Sequence, residues 1–221
     1  MNKVTLKEKD YFRLISENII LKDIYVKNKL KNYNLLIKLI KLLAMTNKLL
    51  SAKEIHKILN YNDIKVSHVT ILEYLDCILK SNLIKKVYRV NLKTKNISVW
   101  KAKYIFSNSK IRKSILNDNI KQYIFNENIV YQTLIELWYK EIYTWKNWTF
   151  NFSFISGNNI IHISEHSNKN EIKKEITKLK KIDWDYHKYL IINSIKDTWI
   201  RPSTYLPIKI LEIKDFINKI K

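Results

Sequence analysis

Glycine, cysteine and proline are scarce in this chain of 221 residues, with one Gly, one Cys and two Pro. The glycine count excludes the most. A phosphate-cradling P-loop needs two glycines before its Lys-Ser/Thr pair, and a dinucleotide turn needs about three. A nucleophile elbow needs two around its serine. With Gly157 alone, none of these exists in the chain. A single cysteine, Cys77, excludes an intrachain disulfide and a multi-cysteine zinc site. Uncharged apolar runs of the length a membrane span needs are also missing. The start, Met1 to Asp10, lacks the apolar stretch of a signal peptide. A cytoplasmic location, with no membrane partner, is the expectation.

Acidic residues are scarce as well: 20 Asp plus Glu stand against 41 Lys plus Arg, a formal charge of +21. Such a balance points to an anionic partner, nucleic acid first. Lysine, asparagine and isoleucine dominate, while arginine occurs only at Arg13, Arg89, Arg112 and Arg201. That is the usage AT-rich codons produce. Codon drift accounts for part of the charge, but not for the scarcity of Glu, whose codons are as AT-rich as those of Lys. About two-thirds of the excess lies in residues 1–107.

What is present is periodic. Apolar residues at helical spacing (Tyr11, Leu14, Ile15, Ile19, Ile20, Ile24) give one or two helices over 7–31, and residues 34–46 read as a buried helix. Ser51-Ala52-Lys53-Glu54 is a capping box opening another. Ser67 caps a further helix, whose inner face is expected to carry Val69, Leu72, Leu75, Ile78 and Leu79. Two β-rich runs, 83–88 and 97–106, flank a polar turn at 91–96. Helix, capped helix, turn, capped helix and hairpin is the order of a winged helix-turn-helix. Beyond residue 107 come a helix over 119–140, strand-like runs at 141–145, 148–156 and 159–165, and a lysine-rich helix at 169–181. A strand at 187–193 follows, then a strand running into a short helix at 210–220. The expected fold class is α+β or α/β, with a helical, winged-helix segment over 1–106 and a small mixed-sheet domain over 107–221.

Four stretches carry a family resemblance: 19–24 (IILKDI), 64–75 (IKVSHVTILEYL), 127–131 (ENIVY) and 143–147 (YTWKN). In this order they resemble the tail that follows the ATPase module in a family of prokaryotic AAA-type ATPases. The resemblance implies a winged helix followed by a restriction-endonuclease-like domain of the PD-(D/E)XK type. The ATPase module itself is not in this sequence, so the chain is expected to be a separated tail, a remnant of a split gene or an excised piece.

The nuclease core of that family places an acid on its second strand and an acid-x-lysine on its third. The acids hold Mg²⁺ and the lysine polarises the phosphate or the attacking water. Here Ser153 stands at the second-strand position, and His162 and Ser164 at the third; Glu127 is the helix acid that matches. Mg²⁺ is a hard cation that favours carboxylate oxygens, and neither Ser153 nor His162 supplies one. Glu165 is one residue out of phase and points to the opposite face of a strand. The expectation is a nuclease-like domain without activity, without a bound metal and without a cofactor. Weak Mg²⁺-dependent cleavage is the alternative. His162 and His166, four apart at a strand end, are not expected to form a zinc site, because that spacing converges on helices.

The candidate DNA-binding residues are Ser67, His68 and Thr70 at the start of the second capped helix, and Lys85, Lys86, Arg89, Lys93 and Lys95 on the wing. Glu73 and Asp76 on the outer helix face repel phosphates. Backbone contacts of low sequence specificity from the wing are therefore expected to dominate. The alternative partner is a separately encoded AAA-type ATPase, or another copy of the chain. The aromatic cluster Trp138, Tyr139, Tyr143, Trp145, Trp148 and Phe150 is expected to be core, with Trp145 and Trp148 the most exposed.

Overall fold

The computed structural model describes residues 3–62, 64–137, 139, 141–146, 151–182, 185–194 and 208–220. In chain order the elements are α1 (Lys3–Asn18), a π-helical segment (Ile19–Val26), α2 (Tyr33–Met45), α3 (Ala52–Tyr61), α4 (His68–Lys80), β1 (Ile84–Val90) and β2 (Ile97–Phe106). Then come α5 (Ser109–Ile115), α6 (Gln122–Glu136), β3 (Tyr143–Lys146), β4 (Asn151–Ser156), β5 (Asn159–Ile163), α7 (Lys169–Lys180), β6 (His187–Ile192), β7 (Ile208–Glu212) and α8 (Ile213–Ile220). The class is mixed α and β, with a seven-stranded mixed sheet ordered β2-β1-β3-β4-β5-β6-β7. The chain divides into two compact units, residues 1–87 with 99–128 and residues 88–98 with 129–221. The sequence boundary after residue 106 falls inside unit 1. Among the described residues no helix is long and apolar enough to cross a membrane.

In unit 1, the inner face of the first long helix is spaced strictly by four, with Phe12 half-buried and Ser16, Ile20 and Ile24 buried. On an α-helix of 3.6 residues per turn that spacing drifts about 40° per turn. The wider π turn, bonding i to i+5, corrects the drift where Ile20 and Ile24 enter the core. The segment ends in a Schellman motif: the Lys29 N–H donates to the Val26 carbonyl (3.0 Å) and the Leu30 N–H to the Tyr25 carbonyl (3.1 Å). Lys29 takes φ 51, where glycine is usual.

Asn32 caps α2 by accepting from the Leu35 N–H (2.9 Å), and α2 buries Leu35, Leu36, Leu39, Ile40, Leu43 and Ala44. The capping box stands as the sequence implies. The Ser51 hydroxyl oxygen accepts from the Glu54 N–H (3.2 Å), and the Glu54 carboxylate accepts from the Ser51 N–H (2.8 Å). Helix α5, capped by Asn108, is not evident in the sequence pattern. It delivers Arg112 into the core with no solvent exposure.

In unit 2, β3, β4 and β5 form an antiparallel meander, and β6 and β7 add in parallel. The end of β1 pairs in parallel with β3 at Arg89 and Thr144. Ile172, Ile176 and Leu179 of α7 pack with Phe152, Ile155, Ile160, Leu190, Ile192 and Ile210 in one core. Gly157, at φ +52, turns β4 into β5.

Two expectations follow for stability. The Glu54 carboxyl is pushed up by partial burial, but hydrogen bonds from Lys101 and Ser51 outweigh this and hold its pKa down at about 2, against 4.5 unperturbed. The unfolded chain therefore takes the proton first as pH falls. Urea unfolding of wild type and Glu54→Gln should show a gap that is full above pH 4.5 and closes as pH falls toward 2. Secondly, Lys29→Gly relieves a left-handed conformation that costs a side chain about 1 kcal/mol. It should raise stability by about 0.5 kcal/mol once the added freedom of the unfolded chain is set against it. A lower urea midpoint for Lys29→Gly would contradict this.

Candidate nucleic-acid interface

Helix α4 begins on Ser67, whose hydroxyl oxygen accepts from the Thr70 N–H (3.0 Å) and shares a hydrogen bond with the Thr70 hydroxyl (2.9 Å). Both side chains are thus engaged by the cap. His68 is exposed, its ring edge-on to His56 at 5.9 Å. The buried face is Ile71, Tyr74, Leu75 and Ile78. This corrects the inward placement of Val69 and Leu72, which are 63% and 46% exposed. Two stripes at helical spacing compete on this helix. The Tyr74 hydroxyl favours the observed one, because it reaches inward to accept from the Asn32 N–H (2.8 Å). The outer face therefore offers Val69 and Leu72 with Glu73 and Asp76, a surface poor in the Arg, Lys, Asn and Gln that read base edges.

The hairpin is different. Lys85, Lys86 and Arg89 of β1, and Lys93 and Lys95 of the turn, are all exposed. Lys85 and Lys86 lie in unit 1; Arg89, Lys93 and Lys95 lie in unit 2. The Asn91 side-chain oxygen accepts from the Lys93 N–H (2.9 Å) and the Thr94 N–H (3.3 Å), which fixes the turn. The Lys95 ammonium donates to the Tyr186 hydroxyl and lies 4.9 Å from that ring's centre. Lys85 donates to the Asn82 side chain, and Lys101 pairs with Glu54. Among the described residues Lys86, Arg89 and Lys93 enter no ion pair. Helix α7, also in unit 2, exposes Lys169, Lys173, Lys174, Lys178 and Lys180, while Lys174 pairs with Glu171 (2.6 Å).

The nuclease-like positions are divided between the two units. Ser153 on β4 and His162 on β5 stand one step along the ladder from the pair Phe154 and Ile161, and the Ser153 hydroxyl accepts from the Ile163 N–H (3.1 Å). Buried Ser164 accepts from the His166 N–H (3.0 Å). These three are brought together in unit 2. Glu127 lies in unit 1, buried, with its Oε1 accepting from the Lys103 ammonium at 2.7 Å.

Glu175 was not among the expected site residues. It turns inward from α7 and places Oε1 3.3 Å from His162 Nε2 and 4.0 Å from His166 Nε2. A glutamate inside the apolar stripe of Ile172, Ile176 and Leu179 was the available signal. Among the described residues no group of three or more His, Cys, Asp or Glu is placed to hold a metal ion. Tyr143 and Trp145 pack half-buried against the core, and Trp145 stacks on Phe152 at 4.9 Å. Trp138, Trp148 and Phe150 lie outside the described residues.

Comparison with known proteins returns no match to a family model, to a curated protein or to a solved structure.

The His162–Glu175 contact makes a prediction of its own. Glu175→Ala removes the buried carboxylate beside His162 and leaves a void in the core, and should cost about 3 kcal/mol in urea unfolding. Replacing both residues by leucine should recover most of that loss. A double variant no more stable than Glu175→Ala would show that the contact between these two side chains is not what the site depends on.

Proposed function

We propose that this chain is a non-catalytic DNA-binding protein that grips the phosphate backbone with low sequence specificity. The observation that carries this is the set of exposed lysines and arginine on the hairpin and α7, several of them outside any described ion pair. Cations held by internal carboxylates gain little from phosphates; solvated ones release counterions when they meet them. The order of helices and hairpin in residues 33–106 supports a winged-helix reading. The order α6-β3-β4-β5-α7-β6 supports a PD-(D/E)XK-like reading of the second half. At the two strand positions where such a nuclease keeps its acids the chain has Ser153 and His162, and at the position of its lysine it has Ser164. The only matching acid, Glu127, is occupied by Lys103. Binding without cleavage is the function that fits these residues.

A second reading rests on α4. Val69 and Leu72 exposed beside Glu73 and Asp76 suit a protein partner better than phosphates. The resemblance to AAA-type ATPase tails makes a separate ATPase, or a second copy, the partner of that reading. Light scattering of the wild type and of a Val69→Asp, Leu72→Asp variant tests the second-copy form, and a monomer in both cases counts against it.

The DNA reading is tested by fluorescence anisotropy on labelled DNAs of unrelated sequence over a salt series. Affinity should differ little among sequences and fall steeply as salt rises from about 50 to 200 mM. Lys93→Gln with Lys95→Gln should weaken every sequence alike and make the salt slope shallower by up to about two. Affinity that ignores salt, or no binding at about 50 mM, would sink the proposal.

A further inference from the structure

Trp100 is 84% exposed, in the middle of a β-strand rather than in a loop. Among the described residues no aromatic ring stacks on it and no cation sits over it. Two residues further along β2, Ala102 is buried and bonds Leu50 in both directions (2.9 and 3.1 Å), so the strand is rigidly held just beyond the indole. Ile97 and Val99 of the same strand are also exposed, at 46% and 65%, so the indole belongs to an exposed apolar stretch of β2 of the kind that marks an interaction site.

The surroundings say what it meets. Strand β1 neighbours β2 in the sheet, and it exposes Lys85 and Lys86 in the same unit as Trp100. Consecutive strand residues point to opposite faces, so one of those two lysines shares the face of the indole. Lys101, next to Trp100, is on the opposite face and is taken by Glu54. An exposed indole on a hairpin that also exposes ammonium groups is the combination that holds a base and its phosphate together. In a duplex each base is already stacked on its neighbours and shows no face to a side chain. Only an unpaired base gains from the indole.

We infer that the hairpin's preferred ligand is single-stranded nucleic acid, with Trp100 as the stacking platform and Lys85 or Lys86 as the phosphate contact. This rests on the nucleic-acid reading above and names its substrate class. It does not require sequence preference, because every base has a π-face.

The test uses the full chain and a labelled oligonucleotide of mixed sequence, single-stranded and as its duplex, at about 50 mM salt. The single strand should bind more tightly. Trp100→Ala should weaken it about ten-fold while changing the duplex less than about two-fold, and Trp100→Phe should keep most of the affinity. Lys85→Gln with Lys86→Gln should weaken both forms. Circular dichroism confirms that the variants fold, which an exposed position allows. Loss of both forms in the lysine variant with no effect of Trp100→Ala overturns the single-strand inference and leaves the DNA proposal standing. Failure of the wild type to bind either form overturns both. A polyglutamate chain that displaces the single strand, and whose own binding also depends on Trp100, would reassign the surface to an acidic protein segment.

Discussion

Arg112 has no exposed surface, and burial draws its pKa down to about 10 against the opposing pull of Glu127 and Tyr123. Its guanidinium donates to the Ala44 carbonyl (3.0 Å) and the Thr46 carbonyl (2.8 Å) at the end of α2, and to the Asn128 side chain (3.2 Å) on α6. Asn128 passes the connection on, accepting from the Phe106 N–H (3.2 Å) and donating to the Phe106 carbonyl (2.9 Å). One planar fork therefore ties a helix end, a second helix and the last residue of β2. Lysine offers a point charge without the fork, so one of only four arginines is used where three acceptors must be met at once. The Lys103–Glu127 pair anchors the same strand to the same helix. The exposed lysines and Trp100 stand on a hairpin whose base this polar network holds in place.

Much of this fold is written locally. The capping box at Ser51 and Glu54, the cap at Ser67 and the turn at Gly157 rest on contacts within a few residues, and the inward face of α7 is spelled out by the spacing of Ile172, Ile176 and Leu179, so the chain displays them directly. What was not legible depends on distant partners. Which stripe of α4 faces inward turns on Tyr74 meeting Asn32, 42 positions away in sequence. Arg112 looks like one more surface cation until α2 and α6 surround it. Glu175 shares the inward stripe of α7 by its spacing, but what it meets there, His162, stands on a separate strand.

The candidate site was legible by composition more than by geometry. Exposed cations on the wing followed from their density, yet Lys95 is engaged by Tyr186 and Lys101 by Glu54, which no spacing announces. A tryptophan within a strand, such as Trp100, reads as core in the sequence, yet it is 84% exposed. Its exposure reflects what packs over that face of β2, a property of tertiary structure rather than of sequence.

The left-handed turns close the account of the missing glycines. Lys29, Asn82, Lys95, Asn117 and Asp118 adopt φ between 49 and 67, a region shared only with Gly157 among the described residues. Each of the five strains the native backbone. Yet glycine is also the residue that gives a denatured chain most of its freedom. A sequence that has nearly dispensed with it has a stiffer denatured ensemble and surrenders less entropy on folding. Left-handed strain in the native state and the smaller entropy loss are two sides of one compositional choice, and part of this fold's stability resides in conformations that the unfolded chain cannot reach.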